Sequence, residues 1–410
     1  MNKVRLLPTL RLKVVKNGDQ LRIITAAGET YEVPCEFGDS VVREIREGLR
    51  RSLDKMKTEL HRNDDEPALT VADASRALAQ FRIRGVSMMT LIFGDYRGQV
   101  SEICRSSSPS WKTSSNPVVI ATEGDLSRFL PLEFLPLFDL SDWPPCTDQD
   151  TLDEAVRRFP GFSAVIKREF QNVEISQDPV LQNNPKLHLK CFVEDTLPGA
   201  GLELDFFKAN AHSIDFDGPW PVSELSDFPK ELAGYLQRSD QTFNGVIRSP
   251  GDQIQHFVCH CYTDERVPSD SALRLSNSNT ATIAELQASL DLPDHTTAPT
   301  FGPLIFLNAC GTARMDPMSA ASFPRFFLRD NHNRGFIGTE TNIPDQFAAD
   351  FSKCFYSGLL KGLSLGQAIY EAKWAMLRQA KNPLGILYTF YADPDMALSN
   401  VVDFVQGTLP

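Results

Sequence analysis

The sequence lacks any long apolar run: no stretch of about 18 or more consecutive apolar residues occurs in it. A transmembrane helix needs about 20 such residues, so we expect no membrane span. The first residues also lack an apolar core of signal-peptide length, so no secretory signal is expected. These two absences together predict a cytoplasmic protein.

Basic charge is also scarce. The chain has 41 Lys and Arg against 53 Asp and Glu, which gives a net charge of −12. The basic residues of segment 43–51 alternate with acidic ones, a pattern typical of the solvated face of a helix. Nucleic acid is therefore not expected as a direct ligand. Because no glycine-rich phosphate-binding motif opens a helix, no nucleotide or other cofactor is expected either.

The eight cysteines are scattered along the chain rather than spaced as a disulfide framework. Four residues have the chemistry of zinc ligands: His256, Cys259, His260 and Cys261. Strand alternation would point 256 and 260 to one face and 259 and 261 to the other. We therefore expect no metal site, and each thiol must be judged by its own surroundings.

The second half of the chain alternates strand-like and helix-like segments. Strands are predicted at 186–193, 254–259 and 304–309, and helices at 347–360 and 365–380. This alternation is typical of an α/β fold with a mostly parallel sheet that helices cover on both faces. We assign it to a domain of residues 179–410.

The first half, residues 1–178, is predicted to form an α+β region that packs against the second domain and docks a regulator. A hairpin is expected around Asn17 and Gly18. Helices are expected at 40–60 and 71–81, with 88–93 either a strand or a continuation of the second helix. Segments 106–116 and 265–300 are predicted to be long polar loops.

Two of the predicted strands end in residues capable of catalysis. His260 follows the apolar strand 254–259, and Cys310 follows 304–309. In an open parallel sheet, ligands bind at the carboxyl ends of the strands, so the two side chains meet if the strands are neighbours. A histidine about 50 residues before the cysteine is the caspase order. Cys35 and His188 approach the papain order, but Cys35 lacks the papain signature around it.

Several motifs resemble the CHAT family of caspase-like peptidases. They are His-Phe-Val-Cys-His at 256–260, Leu-Asn-Ala-Cys-Gly-Thr at 307–312, the proline-containing segment 130–135 and the helical segment 355–368. Each motif alone is weak, but the four occur in the family's order. The resemblance covers roughly residues 115–400.

The resemblance implies a caspase-like fold and a cysteine endopeptidase with Cys310 as nucleophile and His260 as general acid/base. The backbone N–H groups of Cys310 and Cys261 would form the oxyanion hole. The family usually has glycine after the histidine, so Cys261 is a departure that bears on this geometry. The resemblance also implies a protein substrate, a bacterial antiviral defence or stress pathway, and activation by a sensor protein.

Two residues are candidates for the pocket that receives the substrate side chain before the scissile bond, the S1 pocket. Asn308 lies two residues before Cys310, where some relatives carry Asp, and an amide supplies no charge. Asp345 matches a recurring acidic position of the family. Its alternative role is stabilisation of a helix N-terminus, because it follows a proline at a predicted helix start.

Other interpretations of the same residues remain open. His256 is the rival of His260 but is expected to be a buried, hydrogen-bonded histidine. Cys310 could be a buried structural thiol, which would leave a degenerate caspase-like scaffold or adaptor. The same dyad would also serve an acyltransferase, because the acyl-enzyme chemistry is shared. Glu133 is expected to pair with the backbone or an arginine and has no catalytic role.

Overall fold

The fold was described from a computed structural model. The parts of the chain that it describes are residues 9–15, 19–38, 40–41, 43–45, 47–48, 51, 68–112, 117–124, 132–170, 180–181, 186–237, 241–243, 246–248, 253–262, 264, 267–290, 302–309, 322–340 and 343–398. Cys310, the predicted nucleophile, lies outside these residues.

The described strands are numbered in chain order. They are β1 (Leu10–Val15), β2 (Gln20–Thr25), β3 (Thr30–Pro34), β4 (Val118–Gly124), β5 (Ala164–Phe170), β6 (Val180–Leu181), β7 (Leu187–Val193), β8 (Ile214–Trp220), β9 (Gln241–Phe243), β10 (Val246–Arg248), β11 (Ile254–Val258), β12 (His260–Tyr262), β13 (Ala272–Arg274), β14 (Thr280–Thr282), β15 (Gly302–Asn308), β16 (Asn333–Thr339), β17 (Tyr388–Tyr391) and β18 (Ala397–Leu398).

The described α-helices are α1 (Val71–Phe93), α2 (Arg97–Ser107), α3 (Gln149–Val156), α4 (Pro160–Ser163), α5 (Pro198–Ala209), α6 (Phe228–Gln237), α7 (Ile283–Ser289), α8 (Phe323–Arg325), α9 (Asp345–Leu360) and α10 (Leu365–Ala380). A π-helical turn, Phe326–Asp330, follows α8. The described residues between 40 and 51 are also helical. No helix among the described residues is long and apolar enough to cross a membrane.

The chain folds into two compact units. Unit 1 comprises Met1–Gln171 and Leu365–Leu387, and unit 2 comprises Asn172–Ser364 and Tyr388–Pro410. The predicted boundary between domains at residues 178 and 179 stays a prediction. No local pattern in the amino-acid sequence indicated that α10 belongs to the same unit as the first 171 residues.

Unit 1 is built on a five-stranded sheet of order β3-β2-β1-β4-β5. β1 pairs with β2 in antiparallel fashion, which confirms the hairpin predicted around Asn17 and Gly18. β4 is parallel to both β1 and β5. Thr70 caps α1 through a reciprocal pair of hydrogen bonds with Asp73. The helix then continues through Phe93, so residues 88–93 are a continuation of the helix and not a strand.

The interior of unit 1 holds a charged cluster formed by Glu133, Arg168 and Lys373. The Arg168 guanidinium and the Glu133 carboxylate form an ion pair that is almost completely buried. Lys373 of α10 is 5% exposed and interacts electrostatically with both. The prediction that Glu133 pairs with an arginine is therefore confirmed. We call these three residues the Glu133 cluster.

Unit 2 is built on a six-stranded sheet of order β17-β16-β15-β11-β7-β8. β15 is parallel to both of its neighbours, and β7 is parallel to both of its own. Only the pairing of β16 with β17 is antiparallel among the pairs of this sheet. The predicted mostly parallel sheet is therefore confirmed, and its buried strands explain the continuous apolar runs in the sequence.

Helices cover both faces of this sheet, as strand alternation along β11 shows. His256 points toward α5 and α9, where it contacts Glu203 and Tyr356. Gln255 points to the other face and donates to the Tyr235 carbonyl of α6. Phe257 contacts Phe327 of the π-helical turn on that same face. The predicted α/β class, with helices flanking the sheet, is confirmed.

The predicted polar loop at 265–300 is wrong over much of its length. β13 and β14 pair with each other, and β13 also pairs with β12, which gives a three-stranded antiparallel sheet. α7 follows, capped by Thr282 and Glu285. In β14, buried Ala281 lies between the polar residues Thr280 and Thr282, and so short a period-2 signal is easily read as a loop.

Candidate active site

The strands that precede His260 and Cys310 are direct neighbours in the sheet of unit 2. β11 and β15 run parallel, with Val258 registered opposite Asn308. His260 lies two residues after Val258, and Cys310 lies two residues after Asn308 in the sequence. The condition for the two side chains to meet, that their strands be adjacent and parallel, is thus fulfilled. The role of Cys310 itself stays a prediction, because that residue lies outside the described part of the chain.

His260 leaves the main sheet immediately after β11 and begins β12. Its side chain is half-buried and its ring lies 6.4 Å from that of Tyr262, measured between centroids. Arg274 is its cross-strand partner on β13. Arg274 in turn pairs with the buried carboxylate of Glu194 at 3.6 Å. His260 therefore sits on a strand that a second sheet and an ion pair hold in place.

A small cavity of about 20 Å³ adjoins His260 and has room for roughly one water molecule. It lies between the carboxyl ends of β11 and β15 and the first turns of α5 and α9. The residues around it are Leu197, Gly199, Glu203, Val258, Cys259, His260, Asn308, Ala309, Ile343, Asp345 and Ala348. Both S1 candidates, Asn308 and Asp345, thus border the same cavity as His260.

Asn308 is buried, and the hydrogen bonds of its side chain use both amide protons. Its Nδ2 donates to Oε1 of Glu203 at 2.8 Å and to the Ala348 carbonyl at 3.1 Å. Its Oδ1 accepts from the Tyr388 hydroxyl at 2.6 Å. The side chain has no proton left to donate to a substrate and can offer at most one lone pair. Its predicted S1 role is accordingly restricted to accepting a hydrogen bond.

Asp345 is the first residue of α9 and is half-buried beside the cavity. The start of α5 approaches it closely: a Cβ placed on Gly199 would lie 2.5 Å from the Asp345 carbonyl oxygen. Its position agrees with both roles predicted for it, because it lies at a helix N-terminus and also borders the cavity. The S1 role of Asp345 stays a prediction.

Glu203 is the main residue that sequence reasoning missed. Its carboxylate is 1% exposed, and Nε2 of His256 lies 2.7 Å from Oε2. Ser352 also donates its hydroxyl to Oε2. The prediction that His256 is a buried, hydrogen-bonded histidine is confirmed. The one available signal was an acidic residue between two apolar ones, Leu202 and Leu204, on α5.

The surroundings of five of the described cysteines disfavour their thiolates. Burial raises the pKa of Cys35 and of Cys104 to about 12, and it raises the pKa of Cys191 well above 9.0. Burial also raises the pKa of Cys146 and Cys354. A thiol that resists ionisation is a poor nucleophile, so Cys35 is unsuited to the papain-type role.

Cys261, the residue at the usual glycine position, is half-buried on β12. Its predicted backbone contribution to an oxyanion hole stays a prediction.

Both ring nitrogens of His256 are engaged, one by Glu203 and one by the Tyr356 hydroxyl at 3.1 Å. In the described ranges, no group of three or more His, Cys, Asp or Glu side chains could hold a metal ion.

The known proteins that resemble this chain include a probable protease. The chain is 28% identical over 158 residues to a probable protease of Vitiosangium sp. (strain GDMCC 1.1324), a match that covers 38% of this chain and 20% of that relative. The chain thus matches about a fifth of the length of this curated relative.

Two solved structures are similar in part. The complex of the pro- and mature domains of RgpB from Porphyromonas gingivalis has a TM-score of 0.42 and 12% identity, with 73% of this chain and 69% of that chain covered. The separase–securin complex of Saccharomyces cerevisiae has a TM-score of 0.45 and 9% identity, with 95% and 30% covered.

The family match is confined to the second part of the chain. Residues 222–395 match the model of the CHAT domain. The match contains the strand ends at His260 and Cys310 and the helical segment 355–368, whereas segment 130–135 lies outside it. The family resemblance carried by the His260 and Cys310 motifs is confirmed over residues 222–395, which match the CHAT domain.

Proposed function

We propose that this protein is a cysteine endopeptidase in which Cys310 is the nucleophile and His260 the general acid/base. The observation that supports this most strongly is the parallel register of β11 and β15, with Val258 opposite Asn308. His260 and Cys310 follow those two residues at equal offsets. This arrangement favours an imidazole next to a thiol at the edge of the sheet where ligands bind.

The proposed reaction has two steps. The Cys310 thiolate attacks the carbonyl carbon of the scissile peptide bond, and backbone N–H groups of residues 261 and 310 stabilise the oxyanion. His260 gives a proton to the leaving amine, and an acyl-enzyme thioester remains. Neutral His260 then removes a proton from water, which attacks the thioester and releases Cys310.

Substrate side-chain recognition is assigned to the residues around the cavity beside His260, which would have to widen, because its volume of about 20 Å³ holds roughly one water molecule. Asp345 would supply negative charge there, and Asn308 would accept a hydrogen bond. Because Asn308 is neutral, a strict preference for arginine or lysine is not implied. We further propose a protein substrate and activation by a sensor protein in a bacterial defence or stress pathway, which rest on the family resemblance. We also propose a cytoplasmic location, which rests on the distribution of apolar residues in the sequence.

Turnover on a peptide library tests the proposal. Wild-type protein is compared with Cys310→Ala, with His260→Ala and with Cys354→Ala as a matched change at a half-buried thiol of α9. Both dyad variants should lose cleavage while keeping their melting temperature, and Cys354→Ala should retain it. Cleavage that survives Cys310→Ala would contradict the assignment. An intact fold that cuts no peptide, with Cys310 no more reactive than Cys354, would favour the scaffold alternative.

A further inference from the structure

A single carboxylate connects the two strands that lead to the proposed dyad. One oxygen of Glu203 lies 2.7 Å from the ring of His256 on β11. The other accepts a hydrogen bond from Asn308 on β15 at 2.8 Å. Glu203 itself belongs to α5, so the carboxylate joins two neighbouring strands and a helix. We call Glu203, His256, Asn308, Ser352 and Tyr356 the Glu203 cluster.

The cluster involves residues that come shortly before the predicted catalytic residues in the sequence. His256 precedes His260 by four residues, and Asn308 precedes Cys310 by two. The residue between Asn308 and Cys310 is also held, because the Thr339 hydroxyl donates to the Ala309 carbonyl at 2.6 Å. Fixing His256 and Asn308 to one carboxylate therefore restrains both strand ends from which the dyad side chains extend.

The hydrogen bonds of the cluster suit a carboxylate that acts only as an acceptor. Nε2 of His256 lies 2.7 Å from Oε2 of Glu203, and Nδ1 of His256 lies 3.1 Å from the Tyr356 hydroxyl. Ser352 and Asn308 supply the other donors. Three donors converge on a buried acceptor that has no proton of its own, and such charge-assisted hydrogen bonds are the strong ones in proteins.

We propose that Glu203 is a positioning residue that sets the spacing of His260 and Cys310 through His256 and Asn308. The inference rests on the proposed function of the dyad. A carboxylate suits this role because both of its oxygens only accept. An amide at this position would turn an N–H group either toward Asn308, where a donor would oppose a donor, or toward His256 and Ser352, which would both have to change from donor to acceptor.

Glu203→Gln is the principal test, with Asp205→Asn as the matched control. Asp205 lies on the same helix and is exposed, so its change removes a charge without touching the cluster. We expect Glu203→Gln to lower kcat by about 100-fold with little change in KM, since displacing reacting groups by about 1 Å has that effect. Asp205→Asn should stay within about twofold of wild type.

A loss of stability alone must be separated from misplacement of the dyad. Asn333, at the start of β16, belongs to another buried hydrogen-bond network: it accepts from Asn331 and donates to the Pro303 carbonyl. Asn333→Ala should lower the melting temperature while leaving kcat per folded molecule within about twofold. Ser352→Ala removes one donor and little volume, and it should lower kcat by about tenfold even if Glu203→Gln does not fold.

Hydrogen–deuterium exchange gives a readout that does not need turnover. Exchange should rise in Glu203→Gln, and to a smaller extent in Ser352→Ala, in peptides covering both 256–262 and 304–310. Suppose that wild type neither cleaves nor shows a reactive Cys310, while exchange in Glu203→Gln still rises at both strand ends. The proposed function then fails, but the restraint of both strand ends by Glu203 stands. Exchange unchanged at either end, or kcat within twofold of Asp205→Asn, would overturn the role of Glu203.

Discussion

Glu203 in unit 2 and Glu133 in unit 1 are both buried, and the two are satisfied in opposite ways. Glu203 in unit 2 is surrounded by donors from His256, Asn308 and Ser352. Glu133 in unit 1 pairs instead with the Arg168 guanidinium. Its second oxygen, Oε2, finds no hydrogen-bond partner among the described residues.

The difference concerns charge as well as geometry. In the Glu133 cluster two cations share one carboxylate, and burial lowers the pKa of Lys373 from 10.5 to about 8. In the Glu203 cluster the donors are hydroxyl, amide and imidazole groups, and each of the two Glu203 oxygens has at least one of them as a partner. The first arrangement makes unit 1 sensitive to pH, whereas the second holds strand ends in fixed positions in unit 2.

The largest expected effect is on stability when Glu133 is removed. Glu133→Ala leaves Arg168 and Lys373 as buried cations without their carboxylate, which should cost about 4 kcal/mol of unfolding free energy. Glu203→Ala leaves only neutral donors unsatisfied and should cost about 3 kcal/mol. Chemical denaturation measures both values.

Tryptophan fluorescence assigns each loss to a unit. Trp220 is the one tryptophan in unit 2, and the other three of the chain belong to unit 1. An exposed-site control, Glu102→Ala, should stay within about 0.5 kcal/mol. If Glu203→Ala destabilises unit 2 by more than Glu133→Ala destabilises unit 1, the expected order of the two losses in unfolding free energy is wrong.

The second effect is a pH dependence confined to unit 1. Because the Lys373 pKa is near 8 when folded and near 10.5 when unfolded, the unfolded chain binds more protons between these values. The unfolding free energy should therefore rise by about 3 kcal/mol as the pH increases from 8 to 10.5. Below pH 8, Lys373 is charged in both states, and its burial destabilises the folded protein by the full amount.

Lys373→Met isolates that dependence. The variant should be more stable than wild type at pH 7.5, and the advantage should shrink toward pH 10.5. Lys112→Met, at an exposed lysine of the same unit, should show a constant difference. Calorimetry at several pH values measures this, and a pH-independent difference between wild type and Lys373→Met would show that Lys373 does not titrate as described.

The third effect is the introduction of a second carboxylate beside Glu203. In Asn308→Asp, two carboxylates would replace an amide–carboxylate contact of 2.8 Å, and one of them must bind a proton or be strained. Stability at pH 7.5 should fall by about 2 kcal/mol, and the deficit should shrink as pH is lowered toward 5. Asn308→Asp combined with Glu203→Gln should recover part of the loss, and purely additive losses would contradict direct coupling.

The smallest effect concerns the placement of the helix that carries Glu203. Gly199→Ala would set a Cβ against the Asp345 carbonyl and should cost about 1.5 kcal/mol by forcing α5 and α9 apart. Gly201→Ala is the matched control, because a Cβ there meets nothing within 4 Å and should stabilise the helix by about 0.5 kcal/mol. Equal effects of the two changes in thermal unfolding would remove the argument for close approach.

Local patterns predicted the main sheet but not the clusters. The apolar runs before His260 and Cys310 were sufficient to predict two strands of a mostly parallel sheet. Their adjacency was left as a condition, which the register of β11 with β15 fulfils. Glu203 could not be found in this way, because its partners lie 53 and 105 residues away in sequence. The spacing of apolar residues along a sequence does not indicate which distant donor will face a buried acidic residue.

The rest of the architecture escaped prediction for similar reasons. β12 to β14 are three residues each, too short for alternation to stand out from a polar loop. α10 reads as an ordinary amphipathic helix of the second half. Its place in unit 1 depends on long-range contacts, such as the Trp374 indole donating to the Phe162 carbonyl at 2.8 Å.

The most direct test of the central claim is covalent labelling of Cys310 by a limiting peptidyl chloromethyl ketone, mapped by mass spectrometry. The account predicts selective modification of Cys310 in wild type and its loss in His260→Ala, while the buried thiols with raised pKa, such as Cys104, stay unmodified. Labelling spread over several cysteines, or undiminished at Cys310 in His260→Ala, would contradict a dyad formed by these two residues.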